Sequence, residues 1–250
     1  LDIGSATVKV VGVDSSANMV GEPVYLRHDD FAGQGEALKH ALRRYLQSVS
    51  GKIGGIGVTG SGRELMGSIV GADLIHTEIF AHARGVMHLA RQGVIEDESN
   101  HPITRVGAVI EIGGQDSKLI VFDDEGLPVY FNMNTICSAG TGEFLKQLAD
   151  EAGVSIEEFG SVALQSDRSV TVDATCTVFS KRDFRHLTQK GVPLSDRLMG
   201  TCHALVRNYL RNVVRGAQLR PPILFQGGVA SNAAVRQSFE GILGTKIHVT

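Results

Sequence analysis

Glu111-Ile112-Gly113-Gly114-Gln115-Asp116-Ser117-Lys118 repeats the pattern of Asp2-Ile3-Gly4-Ser5-Ala6-Thr7-Val8-Lys9 at a constant offset of 109 residues. The acid, the Ile-Gly pair and the lysine coincide, and so do Asp14 and Asp123. Each copy runs on into an apolar stretch, Val8-Lys9-Val10-Val11-Gly12-Val13 or Leu119-Ile120-Val121-Phe122. Each then reaches a polar turn, Asp14-Ser15-Ser16-Ala17-Asn18 or Asp123-Asp124-Glu125-Gly126. A strand, a tight glycine turn and a second strand make a β-hairpin. Its use twice at fixed spacing predicts a duplicated core.

Helices fill the intervals. Ala37, Leu38, Ala41, Leu42, Tyr45, Leu46 and Val49 fall at helical spacing. Ile56-Gly57-Val58-Thr59-Gly60 reads as a short buried strand entering a glycine loop, and residues 77–92 read as helical. Residues 92–105 are polar and read as an exposed connection between halves. Phe144, Leu145, Leu148 and Ala149 place a helix directly after Gly140-Thr141-Gly142. Leu198, Met199, Cys202, Leu205, Val206, Tyr209, Leu210 and Val213 mark a long amphipathic helix, and Ile223-Leu224-Phe225 a buried strand ending in Gln226-Gly227-Gly228. The expectation is an α/β protein of two similar lobes, residues 1–105 and 106–250. Leu1-Asp2-Ile3-Gly4 already reads as the end of a strand, and the chain stops just after the strand-like Lys246-Ile247-His248-Val249. Both ends therefore read as cut.

Composition narrows the function classes. The 250 residues carry 24 Lys plus Arg against 27 Asp plus Glu, a net charge of −3. That balance argues against a nucleic-acid partner, which usually demands a basic excess. No apolar run approaches the roughly 18 residues of a membrane helix, so no membrane partner is expected. Three cysteines in a chain of this length do not make a disulfide framework, and a reduced cytoplasm fits them. Glycine is the outlier, 30 residues against about 7 % in average usage.

The glycines cluster where phosphate chemistry needs them. Gly4-Ser5-Ala6-Thr7, Gly113-Gly114-Gln115-Asp116 and Gly227-Gly228-Val229-Ala230 sit at strand ends, and Gly140-Thr141-Gly142 opens a helix. A turn with few Cβ atoms lets successive N–H groups converge on one anion. An acid before each hairpin, Asp2 or Glu111, suits Mg²⁺ held through water. The chain contains no Gly-x-x-x-x-Gly-Lys-[Ser/Thr] and no Gly-x-Gly-x-x-Gly after a strand, so neither a P-loop nor a dinucleotide site is indicated. His76, His82 and His88 recur every six residues, on different faces of a helix, and do not make a metal set.

The cysteines differ in setting. Cys137 precedes the Gly140-Thr141-Gly142 helix start, where backbone N–H groups favour a thiolate. Cys176, in Ala174-Thr175-Cys176-Thr177-Val178-Phe179, falls near the end of a β-branched strand. Cys202 lies on an apolar helix stripe and reads as a buried, inert thiol. Cys137 and Cys176 are 39 residues apart and no Cys-x-x-Cys is present, which argues against a self-contained zinc site. From spacing alone both also read as core residues.

The duplicated hairpins and the late Gly-Gly loop resemble the acetate and sugar kinase, heat-shock 70 and actin superfamily over nearly the whole chain. That resemblance implies actin-like (ribonuclease H-like) mixed sheets in two duplicated lobes, with a nucleotide cleft between them. It implies a phosphate-1 loop at Asp2, Gly4, Ser5, Ala6, Thr7 and Lys9, and a phosphate-2 loop at Glu111, Gly113, Gly114 and Gln115. Gly140, Thr141 and Gly142 would add to the nucleotide site, and Gly227, Gly228, Val229 and Asn232 would form the adenosine loop. ATP or ADP with Mg²⁺ would be bound there, with Gln115 and Asp116 as the catalytic, water-orienting pair. Cys-Ser-Ala-Gly-Thr-Gly-Glu-Phe-Leu from Cys137 and Thr-Cys-Thr-Val-Phe around Cys176 closely resemble the activators of 2-hydroxyacyl-CoA dehydratases, a group that includes the benzoyl-CoA reductase ATPase subunits. In that family these two cysteines ligate a [4Fe–4S] cluster. Such a cluster takes four thiolates, so the resemblance implies a homodimer sharing one cluster across a two-fold axis. Two departures from the family pattern are Glu111 where Asp is common and the basic run Lys181-Arg182-Asp183-Phe184-Arg185-His186 after Cys176.

The first functional expectation is thus an ATPase coupled to electron transfer, an activase that passes a low-potential electron to an acceptor iron–sulfur dehydratase or reductase. Hydrolysis between the lobes would change their relative angle, and with it a cluster that straddles two subunits. The alternative is a small-molecule kinase of the same fold, acting on a sugar or N-acetylhexosamine, with Asp116 as the only obvious base. A third reading is an ATP-binding regulator without catalysis.

Overall fold

The computed structural model describes residues 1–134, 137–168 and 170–249. Two compact units form, Leu1–Arg84 and Gly85–Thr250, each with its own sheet.

In the first unit, β1 (Asp2–Ile3), β2 (Thr7–Val13) and β3 (Met19–Arg27) form an antiparallel sheet. Helix α1 (Gln34–Ser48) covers one face, burying Ala37, Leu38, Ala41 and Tyr45 against Ile3, Val8, Val10 and Val24. These are the residues whose helical spacing is visible in the sequence. Next, β4 (Gly57–Val58) and β5 (Leu74–Ile75) pair in parallel around α2 (Arg63–Val70). Thr59, at the end of β4, bridges to Asp2 in parallel. The strands therefore run β5-β4-β1-β2-β3.

The second unit repeats this order. Its sheet is β10 (Ile247–Val249), β9 (Ile223–Gln226), β6 (Ala108–Ile112), β7 (Ser117–Phe122) and β8 (Pro128–Asn134), side by side in that sequence. Four helices lie between β8 and β9: α4 (Gly142–Ala152), α5 (Ile156–Ala163), α6 (Thr177–Gln189) and α7 (Leu194–Tyr209). Helix α8 (Ala233–Leu243) joins β9 to β10. The core is aliphatic, as a chain without Trp requires, with Phe144, Phe159, Phe184, Phe225 and Phe239 fully buried among Leu, Ile and Val.

The duplication extends to single hydrogen bonds. Asp2 pairs with Lys9 across the first hairpin, as Glu111 does with Lys118 across the second. Gly4 N–H donates to Thr7 O at 2.9 Å, and Gly113 N–H donates to Asp116 O at 2.9 Å. The Asp14 carboxylate accepts from the N–H groups of Ser16 and Asn18, and that of Asp123 from Glu125 and Leu127. Ala17 takes φ +64° and its counterpart Gly126 φ +78°. A glycine is the easier residue there, and Ala17 holds the left-handed angle because the aspartate clamps both sides of the turn.

Residues 92–105 are mostly exposed, as the sequence reads, and two apolar side chains anchor them. Ile95 and Ile103 are buried, Ile103 N–H donates to Ile95 O, and Asp97 caps the turn between them through Ser99 and His101. That same asparagine-and-aspartate turn chemistry makes the stretch polar. The boundary between the two compact units falls at 84/85, inside helix α3 (Glu78–Arg91). One sequence expectation is corrected: Cys176 is not at a strand end. Residues 170–176 form no strand, because side chains take the backbone groups a neighbouring strand would use. Arg207 donates to Val172 O, Asn208 and Arg211 donate to Ala174 O, and the Asp173 carboxylate accepts from Thr175 N–H and Cys176 N–H.

Candidate functional site

The second hairpin is built around a buried charge pair. Lys118 Nζ lies 2.9 Å from Glu111 Oε2 and 2.9 Å from Asp116 Oδ1, with the lysine side chain 1 % exposed. Asp116 is thus committed to a cation, while Gly114 and Gln115 stand exposed at the tip. The equivalent pair of the first hairpin, Lys9 and Asp2, is 2.6 Å apart and open to solvent. There the glycine turn is held by Gln34 Nε2 donating to Gly4 O at 3.0 Å and by His28 N–H donating to Ala6 O at 3.0 Å. Lys118→Met should destabilise the fold by about 3–5 kcal/mol, because it leaves a buried carboxylate without its cation. Denaturant unfolding checks this, and a cost under about 1 kcal/mol would mean that Glu111 is not held charged by Lys118.

Three glycine elements of the second unit meet. Gly142 N–H donates to Gly113 O at 2.8 Å, and Glu143 N–H donates to Gly114 O at 2.7 Å. The start of α4 is thereby bonded to the hairpin tip. A Cβ at Gly142 would lie 3.0 Å from Gly113 O and 3.2 Å from Val229 Cγ2, so the loop after β9 closes on the same point. Gly227, at φ +86°, approaches the carbonyl of Ile112 so closely that any side chain would collide with it. Asn232 caps α8, accepting from Ala234 and Val235 N–H. Its Nδ2 is buried without a partner among the described residues.

The sequence points to Gly113, Gly114, Gly140, Thr141, Gly142, Gly227, Gly228, Val229 and Asn232, and these lie on the three elements that converge. It misses Gly60. Gly60 sits at the end of β4 with φ +99°, and a side chain there would collide with the carbonyl of Ile3. This is the Gly227 geometry repeated in the first unit. The offset is 167 instead of 109 because α4 to α7 are inserted in the second unit, so a search at one offset passes over it.

Cys137 and Cys176 are brought together from 39 residues apart. Cys137 caps the one-turn helix Ser138–Gly140, and Cys176 caps α6. Thr135 and Ile136 of the Cys137 motif lie outside the described residues. The next residue in each case supplies a cross-link, Ser138 Oγ to Thr177 Oγ1 at 2.9 Å. Cys137 Sγ lies 3.9 Å from Thr175 O. Both thiols are partly exposed, whereas Cys202 is fully buried, and burial pushes its thiol well above the usual range. Asn134 fixes the first turn, accepting from Cys137 N–H at 3.0 Å and donating to Cys137 O at 2.7 Å. Among the described residues no three His, Cys, Asp or Glu side chains gather to hold a metal ion. One chain therefore presents two partly exposed thiols on neighbouring turns. That is half the donor set of a four-thiolate cluster, and soft sulfur is the donor iron–sulfur chemistry uses.

Comparison with known proteins agrees with this geometry. The 2-hydroxyisocaproyl-CoA dehydratase activator of Clostridioides difficile is 29 % identical over 256 residues, covering all of this chain and 87 % of that protein. A solved structure of the activator from Clostridium difficile with bound ADPNP superposes with a TM-score of 0.80 at 27 % identity, over all of this chain and 86 % of that one. Protein MJ0800 of Methanocaldococcus jannaschii is 30 % identical over 251 residues, and the chain spans 57 % of its length. The model of one protein family matches residues 1–250 without a break, and the chain accordingly belongs to the BadF/BadG/BcrA/BcrD ATPase family.

Proposed function

We propose that this chain is an ATP-hydrolysing electron donor that activates a CoA-thioester dehydratase or reductase, working in the cytoplasm as a homodimer with one [4Fe–4S] cluster between two copies. The observation that carries the reading is the meeting of Cys137 and Cys176 on two capped turns, the first of which leads within five residues to the bonds that hold the Gly113-Gly114 tip. A relative named as a dehydratase activator supports the same class of acceptor. When bound, the cluster supplies the low-potential electron. Cys137 and Cys176 are the residues that would hold it, and two thiols per chain call for two chains.

Nucleotide binding falls to the residues described above. Gly4 and Gly113 close the two turns with their own N–H groups, which leaves the backbone N–H groups of Ser5, Ala6, Thr7 and Gly114 to face phosphate, with Lys9 beside them. Gly140, Thr141 and Gly142 close on the second hairpin, and Gly227, Gly228, Val229 and Asn232 hold the adenosine. Asp2 is paired with Lys9 through Oδ2 but is not buried, which leaves its second oxygen suited to a Mg²⁺-bound water. Glu111, buried against Lys118, serves chiefly to fix that lysine. Because Asp116 is also paired with Lys118, orienting the attacking water falls to the exposed Gln115.

Gln115→Ala should lower ATP turnover by about a hundredfold and leave ADP affinity nearly unchanged, since water orientation acts mainly in the transition state. Steady-state phosphate release and calorimetry measure the two quantities. Unchanged turnover would make Gln115 a turn residue only.

A further inference from the structure

Asn208 is a fully buried amide on the apolar face of α7, between Leu205, Val206 and Tyr209. An amide in such a place is costly unless its groups are used. Its Nδ2 donates to Ala174 O at 2.6 Å, two residues before Cys176. Its Oδ1 is buried without a hydrogen-bond partner among the described residues and packs against the other cysteine turn, where a Cβ on Gly140 would stand 2.7 Å from it. Gly140 ends the turn that Cys137 caps. One side chain thus touches both cysteine turns, beside the Ser138–Thr177 hydroxyl bond that joins them directly.

The next residue reaches the nucleotide side. Tyr209 is buried and donates its hydroxyl to Lys118 O at 2.7 Å, on the strand whose lysine pairs with Glu111 and Asp116. Adjacent residues of one helix therefore hold the second hairpin and the two cysteine turns. The turns are not equally tied to that hairpin. The Cys137 turn runs into Gly142 and Glu143, which bond to Gly113 and Gly114 directly. The described polar contacts that join the Cys176 turn to the same structure are the Ser138–Thr177 bond, the Cys137 Sγ–Thr175 O contact and the α7 side chains Arg207, Asn208 and Arg211.

We propose that Asn208 is a positioning residue that locks the Cys176 turn to the Cys137 turn and to the second hairpin, so that nucleotide occupancy is felt at both thiols together. This rests on the nucleotide-binding, two-cysteine reading above. Arg207 and Arg211 still bond to the carbonyls of Val172 and Ala174 without it, so an apolar residue of similar size keeps the turn folded while the amide link is lost. The two arginines reach one turn; Asn208 bonds to that turn and packs against the other.

The test is the rate of iodoacetamide alkylation at each cysteine, by peptide mass spectrometry, on the full chain after anaerobic iron chelation, with and without ADP. Buried Cys202 serves as the unreactive reference. In the wild type, ADP should shift the rates at Cys137 and Cys176 in parallel, by about fivefold or more. In Asn208→Leu the shift at Cys137 should persist, while that at Cys176 falls to within about twofold of no effect. ADP affinity should be unchanged, because Asn208 does not belong to the nucleotide elements. Ser138→Ala, which removes the parallel hydroxyl bond, should weaken the Cys176 response in the same direction and carries the test if Asn208→Leu does not fold. A wild-type response at Cys176 in a folded Asn208→Leu protein overturns the proposal. So does a wild type that binds ADP without any thiol response, and that outcome leaves nucleotide binding intact. A wild type that does not bind ADP overturns the underlying reading instead.

Discussion

Cys137→Ser and Cys176→Ser should each lose the proposed iron–sulfur centre entirely, and Cys202→Ser should retain it in full. That is the largest effect expected of any single substitution here. The two thiols stand on neighbouring turns, partly exposed and capping their helices. A hydroxyl is a poor substitute for thiolate toward iron, and each chain has no third exposed cysteine to replace it. Cys202 is packed inside α7 against the second core and is held protonated by burial, so serine there perturbs packing and not ligation. Both ligand variants should still fold and bind ADP, since neither Cys137 nor Cys176 belongs to the buried core of either unit. Iron analysis and light scattering on the three anaerobic variants test this. Full iron content in Cys176→Ser would remove the cluster from the account.

Gly142→Val abolishes tight nucleotide binding. Gly142 stands where the hairpin tip, the start of α4 and the loop after β9 converge, with room for little more than its hydrogens. A valine places its first carbon 3.0 Å from Gly113 O and 3.2 Å from Val229 before its methyl groups are counted. The hairpin and the loop must separate, and the 2.8 Å bond from Gly142 N–H to Gly113 O lengthens with them. Losing two charge-assisted contacts to phosphate costs about 3–6 kcal/mol, a hundredfold or more in affinity. Gly142→Ala, with one carbon, should fall between. Calorimetric titration with ADP measures the series, and a folded Gly142→Val protein with wild-type affinity would contradict this placement.

The hairpins were legible because duplication writes the same acid, glycine and lysine twice at one spacing. Each residue of the pattern has a structural job: cross-strand pair, turn bond, strand start. The helices with a continuous apolar stripe were legible for the reason that one face must be buried. What was not legible depended on side chains satisfying backbone at a distance. The β-branched Val170-Thr171-Val172 reads as a strand until Arg207, Asn208 and Arg211 reach its neighbourhood from α7. The polar stretch 92–105 hides two buried side chains, Ile95 and Ile103. Gly60 is masked by the unequal insertions between the paired strands. Asn208 did carry a signal, a lone amide inside an apolar helix stripe, and such a residue is worth reading as a possible junction.

The central claim is that two copies of this chain share one cluster through Cys137 and Cys176. Iron and acid-labile sulfide per chain, measured on anaerobically purified protein together with its mass in solution, test it most directly. The account predicts about two irons and two sulfides per chain in a dimer. A monomer carrying about four irons, or a dimer carrying none, would contradict it.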